Sequence, residues 1–462
     1  VIWVGTDDGN VQVTRDGGEK WTNVVGEIDD LPENTWCSCV EAGHYDPGTA
    51  YATFDGHRHG DKTPYIYKTT DYGQNWTSLA TDSIEGYAHV IREDLVNPNL
   101  LFVGTEFGLF VSIDGGAQWA RFTGNMPKVS VRDMVIHPRE SDLVMGTHGR
   151  GVLIIDDLTP LREITPEVLE SDISMLSTRP TPSLIPQFEQ AWGGDAQFIG
   201  GNPSSVALIT YYMKKRHMFG DLHLEIYDSA GTMLKSLPGG KRRGINRVQW
   251  FMRRKPPKVA PAPTLAGGAI FGPMLPEGTY TVKVIRGADT TSGEVRVVPD
   301  PASPHPPADR ALQQETVLKL YDMQENLAFI GESVTGARDQ AREHADSLSE
   351  GDELAERLTA FADRLDELNK TLVATRPGWI TGEEQLRERV VNLYSAVSRY
   401  GGRPTQSQLD RMAVLQGQIE VAEADFETIL GEDMAALNAT LQERNLTPIT
   451  RLTREEFDRQ HQ

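Results

Sequence analysis

Residues 14–21 read TRDGGEKW, residues 69–76 read TTDYGQNW and residues 112–119 read SIDGGAQW, copies of one pattern, Ser/Thr-x-Asp-x-Gly-x-x-Trp. Each follows an alternating apolar stretch (NVQV, YIYK, GLFV) and precedes a short strand, which places it on a hairpin turn. The residue types suit a structural turn. The aspartate accepts from turn amides, the glycine takes a backbone shape barred to other residues, and the tryptophan packs under a neighbouring strand. Asp16 and Asp71 stand 55 residues apart, and Asp71 and Asp114 stand 43 apart, the spacing of one propeller blade each.

The strands between the copies repeat as well. TWCSCVEAG, AHVIRED and VRDMVIHP read as inner strands, and the turns DPGT, NPNL and HPRESD lead on to AYATF, LLFVGT and LVMGT. GVLIIDD occupies the third-strand position of a last copy that lacks the tryptophan. The expectation is three complete blades, over 35–79, 88–122 and 131–164. VIWVGT, NVQV and WTNVV supply the second, third and outer strands of another. A propeller needs at least four blades to close, so the remaining ones are expected from an N-terminal region or another chain.

The octapeptides resemble the Asp-boxes, or BNR repeats, of sialidases, oligoxyloglucan hydrolases and the sortilin (Vps10) propeller. The phrases VIWVGTDDGNVQVTRDGG, NPNLLFVGTEFGLFVSIDGG and GTHGRGVLIIDDLTPL look like large bacterial exported proteins with sortilin-like propellers, often labelled glycosyl hydrolases. The resemblance implies a propeller followed by a β-sandwich and a helical tail. It also implies export to the periplasm, the cell surface or the medium. Its structural residues fall on Thr14, Asp16, Gly18 and Trp21; on Thr69, Asp71, Gly73 and Trp76; and on Ser112, Asp114, Gly116 and Trp119. Sortilin's cysteine-rich modules have no counterpart in a chain with two cysteines, and no sialidase arginine triad can be matched.

The pattern changes after the blades. VALITYYM, LHLEIYDSAG, INRVQWFM, GTYTVKVIRG and EVRVVPDP alternate between Pro/Gly-rich turns, which reads as an immunoglobulin- or fibronectin-like sandwich. Within it, PGGKRRG reads as a solvated hairpin loop, and residues 255–276 as a long Pro/Gly/Ala loop lying across a neighbour. From Asp309 helical spacing takes over. One stripe begins with Leu312, Val317, Leu320 and Leu327, and a second runs through Leu354, Leu358, Phe361, Leu365, Leu368 and Leu372. Leu386, Val390, Leu393 and Val397 form a third, and Leu409, Leu415, Ile419 and Phe426 a fourth. Met323, Met412 and Met434 read as core filler. The fold class is therefore mainly β with an α-helical C-terminal region: partial Asp-box propeller over 1–164, sandwich over 165–302, helical bundle or hairpins over 303–462.

Composition limits the partners. Sixty-six acidic against 45 basic residues give a net charge of −21 over 462 residues, which disfavours non-specific attraction to nucleic acid or anionic membrane. No run of about 18 apolar residues offers a membrane span, and residues 1–6 read as a strand rather than an export signal. Cys37 and Cys39 sit two apart in a strand, suited to buried thiols rather than a mutual disulfide.

The loops between second and third strands share the propeller face opposite the Asp-boxes. They carry Asp7 and Asp8, then Asp55, His57, Arg58, His59 and Asp61, then Glu106, then His148 and Arg150. The expected binding residues are Asp55, His57, Arg58, His59, Glu106, His148 and Arg150, for a protein, peptide or glycan ligand. The competing class is a glycoside hydrolase completed by further blades, with Asp55 and Glu106, and by position Asp7, as candidate carboxylates. His57 and His59 with Asp55 or Asp61 are plausible metal-ligand types, but the spacing is unlike a zinc signature. No metal or cofactor is expected, and no phosphate loop, nucleophile elbow or dinucleotide motif is present.

Overall fold

A computed structural model describes residues 1–184, 205–378 and 383–460. The N-terminal alternation folds into four consecutive antiparallel meanders. The first contains β1 (Ile2–Gly5), β2 (Val11–Thr14) and β3 (Thr22–Asn23), and the second β4 (Trp36–Ala42), β5 (Ala50–Asp55), β6 (Tyr65–Thr69) and β7 (Thr77–Ser78). The third contains β8 (Ala88–Glu93), β9 (Leu101–Thr105), β10 (Gly108–Ser112) and β11 (Ala120–Arg121), and the fourth β12 (Val131–Ile136), β13 (Leu143–Thr147) and β14 (Val152–Ile155).

Apolar residues on both faces of each sheet require sheets on either side, so the meanders stack. Val11, Val13 and Val24 pack against Phe54 and Tyr67, Tyr51 and Ile66 against Ile91 and Phe110, and Phe102 and Leu109 against Met134 and Met145. This is the packing of successive propeller blades. The described residues form an open stack and no closed ring.

The last blade departs from expectation. Its outer strand was expected by 164, but after β14 the chain forms two short helices, α1 (Thr159–Arg162) and α2 (Pro166–Glu170). Pro160 and Pro166 lie in their first turns, at the second and first positions, where the missing N–H costs nothing in a helix and would interrupt a ladder. The blade therefore has three strands.

The Asp-boxes behave as turns. The Asp16 carboxylate accepts from the Lys20 amide at 3.0 Å, Asp71 from Asn75 at 2.9 Å and Asp114 from Gln118 at 2.9 Å. Each also accepts from the hydroxyl that opens its motif, on Thr14, Thr69 or Ser112, and that hydroxyl accepts from the Gly18, Gly73 or Gly116 amide. These glycines have φ of 108°, 84° and 96°. Gly73 and Gly116 also abut the preceding blade, where a Cβ would meet Val24 at 2.7 Å or Leu79 at 2.9 Å.

Both ends of the stack present apolar side chains. Ile2, Val4 and Trp21 are exposed on the first blade, and Val135, Val152 and Ile154 on the last. Cys37 and Cys39 are free thiols on β4, and burial pushes Cys37 up to about 12.

Two further sheets face each other beyond α2. One orders β15 (Ile173–Leu176), β17 (Ala207–Met213) and β20 (Gly244–Trp250). The other orders β16 (Thr181–Ser183), β22 (Asp289–Pro299), β21 (Gly278–Arg286), β18 (Leu222–Tyr227) and β19 (Met233–Pro238). Ile209, Tyr211 and Trp250 of one pack on Leu224, Val282 and Val295 of the other. β15, β16 and β19 were not legible as strands, being short or carrying polar residues and proline.

The helical region comprises α3 (Pro307–Ser347), α4 (Glu353–Leu372), α5 (Leu386–Ser398), α6 (Gln406–Glu427), a π-helical turn over 428–433, α7 (Met434–Glu443) and α8 (Arg454–Gln460). The leucine stripe of α4 meets Leu320, Leu327 and Val334 of α3, with Met323, Met412 and Met434 packed at the margin of that core. The 255–276 loop lies on these helices: Ala260 joins their core and the Tyr394 hydroxyl donates to the Phe271 carbonyl at 2.8 Å.

Candidate functional site

The second-to-third-strand loops lie at one end of the blades and the Asp-boxes at the other, because β5 pairs with β6 from Phe54↔Tyr65 at the loop to Ala50↔Thr69 at the Asp-box. Each inner strand also carries a bulge near the rim. The register shifts between Cys37 and Cys39, between Ala88 and Val90 and between Val131 and Asp133, leaving Ser38, His89 and Arg132 as the extra residues. A bulge redirects its side chain out of the alternation. His89 and Arg132 are thereby turned toward the ends of β5 and β9.

The result is a relay across three blades. Asp55, fully buried at the end of β5, accepts from the His57 amide at 3.0 Å and lies 2.6 Å from His57 Nδ1. Its other oxygen has no hydrogen bond and stands 3.6 Å from His89 Nδ1. His89 Nε2 is 3.2 Å from Glu106 and 3.3 Å from the Ser130 hydroxyl. Arg132 closes the line, donating to Glu106 at 3.2 Å. Tyr87 stacks on the His57 ring at 4.7 Å and meets His89 edge-on at 5.0 Å.

Environment fixes the charges. Burial, with Arg132 adding repulsion, holds His89 below the ordinary histidine value despite the pull of Glu106. Burial acts to raise Glu106, but hydrogen bonds from His89 and Ser130 and the Arg132 charge outweigh it, and its carboxyl lies below the usual range. Glu106 is thus an anion paired with Arg132, and His89 favours its neutral form.

Of the expected binding residues, the fold brings Asp55, His57 and Glu106 together. Arg58 lies over the Trp36 ring at 4.8 Å, and His59 is exposed on the same loop. His148 and Arg150 are exposed on the β13–β14 hairpin, where the His148 amide donates to the Ser130 carbonyl at 2.9 Å. Asp7 is exposed and apart from the relay, and Asp61 braces its own loop through the Thr63 amide and the Tyr65 hydroxyl. No group of three or more metal-ligating side chains converges among the described residues.

Sequence reasoning missed His89, Tyr87, Ser130 and Arg132. The available signal was positional, since AHVIRED and VRDMVIHP place His89 and Arg132 second among the inner-strand residues. Deeper along the same strands, Arg92 joins blades again, 3.1 Å from Glu41 and 3.0 Å from Asp133.

No family model and no curated protein matches the chain. Among solved structures it is similar to YCF48 bound to D1 peptide, at 18% identity over 33% of this chain and 46% of that one, with a TM-score of 0.26. It is similar to PorZ of Porphyromonas gingivalis, a type-IX secretion component, at 14% identity over 64% and 36%, TM-score 0.27. A GH74 xyloglucanase from Xanthomonas campestris aligns at 12% identity over 64% and 42%, TM-score 0.28. The chain spans less than half the length of each. No helix among the described residues is long and apolar enough to cross a membrane.

Proposed function

We propose that the chain is the binding part of an exported, sortilin-like BNR-repeat propeller protein whose rim captures a carboxylate-bearing protein, peptide or glycan. The observation that carries this reading is the state of the two candidate carboxylates. A glycosidase needs a pair that reaches the sugar, one with a raised pKa. Asp55 is buried, and Glu106 is lowered and engaged by Arg132. Arg58, His59, His148 and Arg150 are exposed on the loops around them, and the exposed acids Asp7 and Asp8 lie on the first blade, apart from the relay. In this reading further blades, from the same protein or another chain, cover the apolar ends at Trp21 and Val152.

The test is a peptide-library and glycan-array screen with the full chain, followed by Arg58→Ala with Arg150→Ala. The pair should weaken an acidic ligand by roughly tenfold at low salt, and the effect should shrink as salt rises. Glycan turnover that Glu106→Gln abolishes while binding persists would establish hydrolysis and overturn the proposal.

A further inference from the structure

The strand register places two loops of the sandwich at one end. β17 pairs with β20 through Met213↔Gly244, and β18 pairs with β19 through His223↔Pro238. The β17–β18 connection (residues 214–221, KKRHMFGD) and the β19–β20 connection (residues 239–243, GGKRR) therefore leave the sheets side by side. They are bonded together: the His217 amide donates to the Lys241 carbonyl at 3.1 Å, and Lys241 Nζ donates to the Gly220 carbonyl at 2.8 Å.

Far apart in sequence, the loops form one surface with two chemistries. Phe219 is 87% exposed and Met218 61%, with Phe219 the most exposed large hydrophobic among the described residues. Lys215, Arg216, Lys241, Arg242 and Arg243 flank them, all exposed and without an acidic partner among the described residues. Nearby acids are engaged elsewhere, Asp221 with His223, Glu170 with Lys214, and Asp172 and Asp289 with Arg286. A cluster of five cations in a chain of net charge −21 is a local reversal of sign.

From this juxtaposition we infer that the tip is a membrane-surface contact, with Met218 and Phe219 entering the headgroup boundary of an anionic bilayer and the five cations holding lipid phosphates. An apolar tip ringed by lysine and arginine gains from both apolar burial and anionic headgroups. Nucleic acid would use the same cations, but of the two apolar side chains only Phe219 offers a ring for a base to stack on, whereas both Met218 and Phe219 can enter a bilayer. The whole-chain charge, which argued against membranes, is an average that conceals this end of the sandwich.

The experiment is co-sedimentation of the full chain with vesicles of equal parts phosphatidylglycerol and phosphatidylcholine, against phosphatidylcholine alone. Binding to the anionic vesicles only is expected, falling as salt rises. Removing three cations together (Lys215→Ser, Arg242→Ser, Arg243→Ser), with the Lys241 bond between the loops kept, should weaken it by roughly a hundredfold, and Phe219→Ser should weaken it without changing its salt dependence. All these side chains are exposed, so an unchanged thermal midpoint should accompany each loss. No binding to either vesicle, or binding that Phe219→Ser leaves untouched, overturns the inference. So does tighter binding to a single-stranded oligonucleotide than to the anionic vesicles, which would assign the surface to nucleic acid.

Discussion

The indole of Trp119 donates its Nε1 proton to the Leu79 carbonyl of the preceding blade at 2.9 Å, so an Asp-box tryptophan fastens its blade to the one before it. Trp76 also reaches back, meeting Trp3 edge-on at 6.2 Å, but its indole bonds within its own turn, to Gly73. Trp21 has no preceding blade among the described residues and is 41% exposed, against 6% for Trp119. Equal motifs therefore carry unequal energies. Trp119→Ala should cost about 3–5 kcal/mol, the range for a buried aromatic. The half-buried Trp76 should cost less, and Trp21→Ala under about 1 kcal/mol. Urea midpoints of the three variants check the order, and an equal loss at Trp21 would mean that this face is covered in solution.

The relay gives the blades an acid-sensitive joint. The folded state disfavours a proton on His89, so unfolding takes one up as pH falls. The contribution of His89 is complete above its unfolded value of about 6.5 and diminishes as pH drops toward its lower folded value. Glu106 has a separate window: its folded carboxyl is also lowered, so its contribution is present above about 4.5 and disappears on further acidification. Thermal midpoints of wild type and His89→Gln between these values should converge as pH falls from 7, because the variant lacks the first proton uptake. Parallel curves would remove His89 from the acid response.

Arg162 marks where the chain leaves the blades. Its guanidinium makes a two-pronged contact with the buried Asp94 carboxylate, Nε donating to Oδ2 at 2.9 Å and Nη2 to Oδ1 at 2.9 Å, while Nη1 donates to the Ser141 hydroxyl at 2.9 Å. Arg162→Met would leave the buried Asp94 charge without its cation, held only by the Val96 and Asn97 amides, which costs about 3–5 kcal/mol. Adding Asp94→Asn should restore part of that loss, since the stranded charge goes with it. Chemical denaturation of the single and double variants provides the comparison.

What the sequence disclosed was what depends on neighbours in sequence. An Asp-box closes its hydrogen bonds within five residues, from Thr14 to Gly18 or Asp16 to Lys20, so its chemistry is written in the octapeptide. The leucine stripe of α4 is equally local, because helical spacing alone sets its buried face. The relay is otherwise: Asp55, His89, Glu106 and Arg132 meet only because β5, β9 and two bulged inner strands, β8 and β12, converge at one rim. Asp55 read as a rim ligand because the loop it opens is polar, yet its side chain is turned inward. The basic tip was half legible, since KRRG was visible as a loop but its pairing with KKRHMF follows from the order of the sandwich strands.

Residues 255–276 were expected to lie across a neighbour, and Arg387 holds them there. Its guanidinium donates to the Thr264 hydroxyl at 2.9 Å and carbonyl at 3.1 Å and to Glu388 at 2.6 Å, while Glu388 accepts from Thr264 at 2.8 Å and caps α5 through the Gln385 amide at 3.1 Å. One ion pair thus binds the loop and caps the start of α5. Arg387→Leu keeps apolar volume but deprives Thr264 and Glu388 of their donor, so the loop should open more often. When reclosing is fast, cleavage follows the open population, and each 1.4 kcal/mol lost raises its rate about tenfold. Trypsin should therefore cut after Lys258, which precedes Val259, at least roughly tenfold faster in the variant than in wild type. Cutting at the exposed Lys241–Arg243 segment should proceed at one rate in both. A variant whose two regions accelerate together would be opening as a whole, and Arg387 would then support the whole chain rather than the loop.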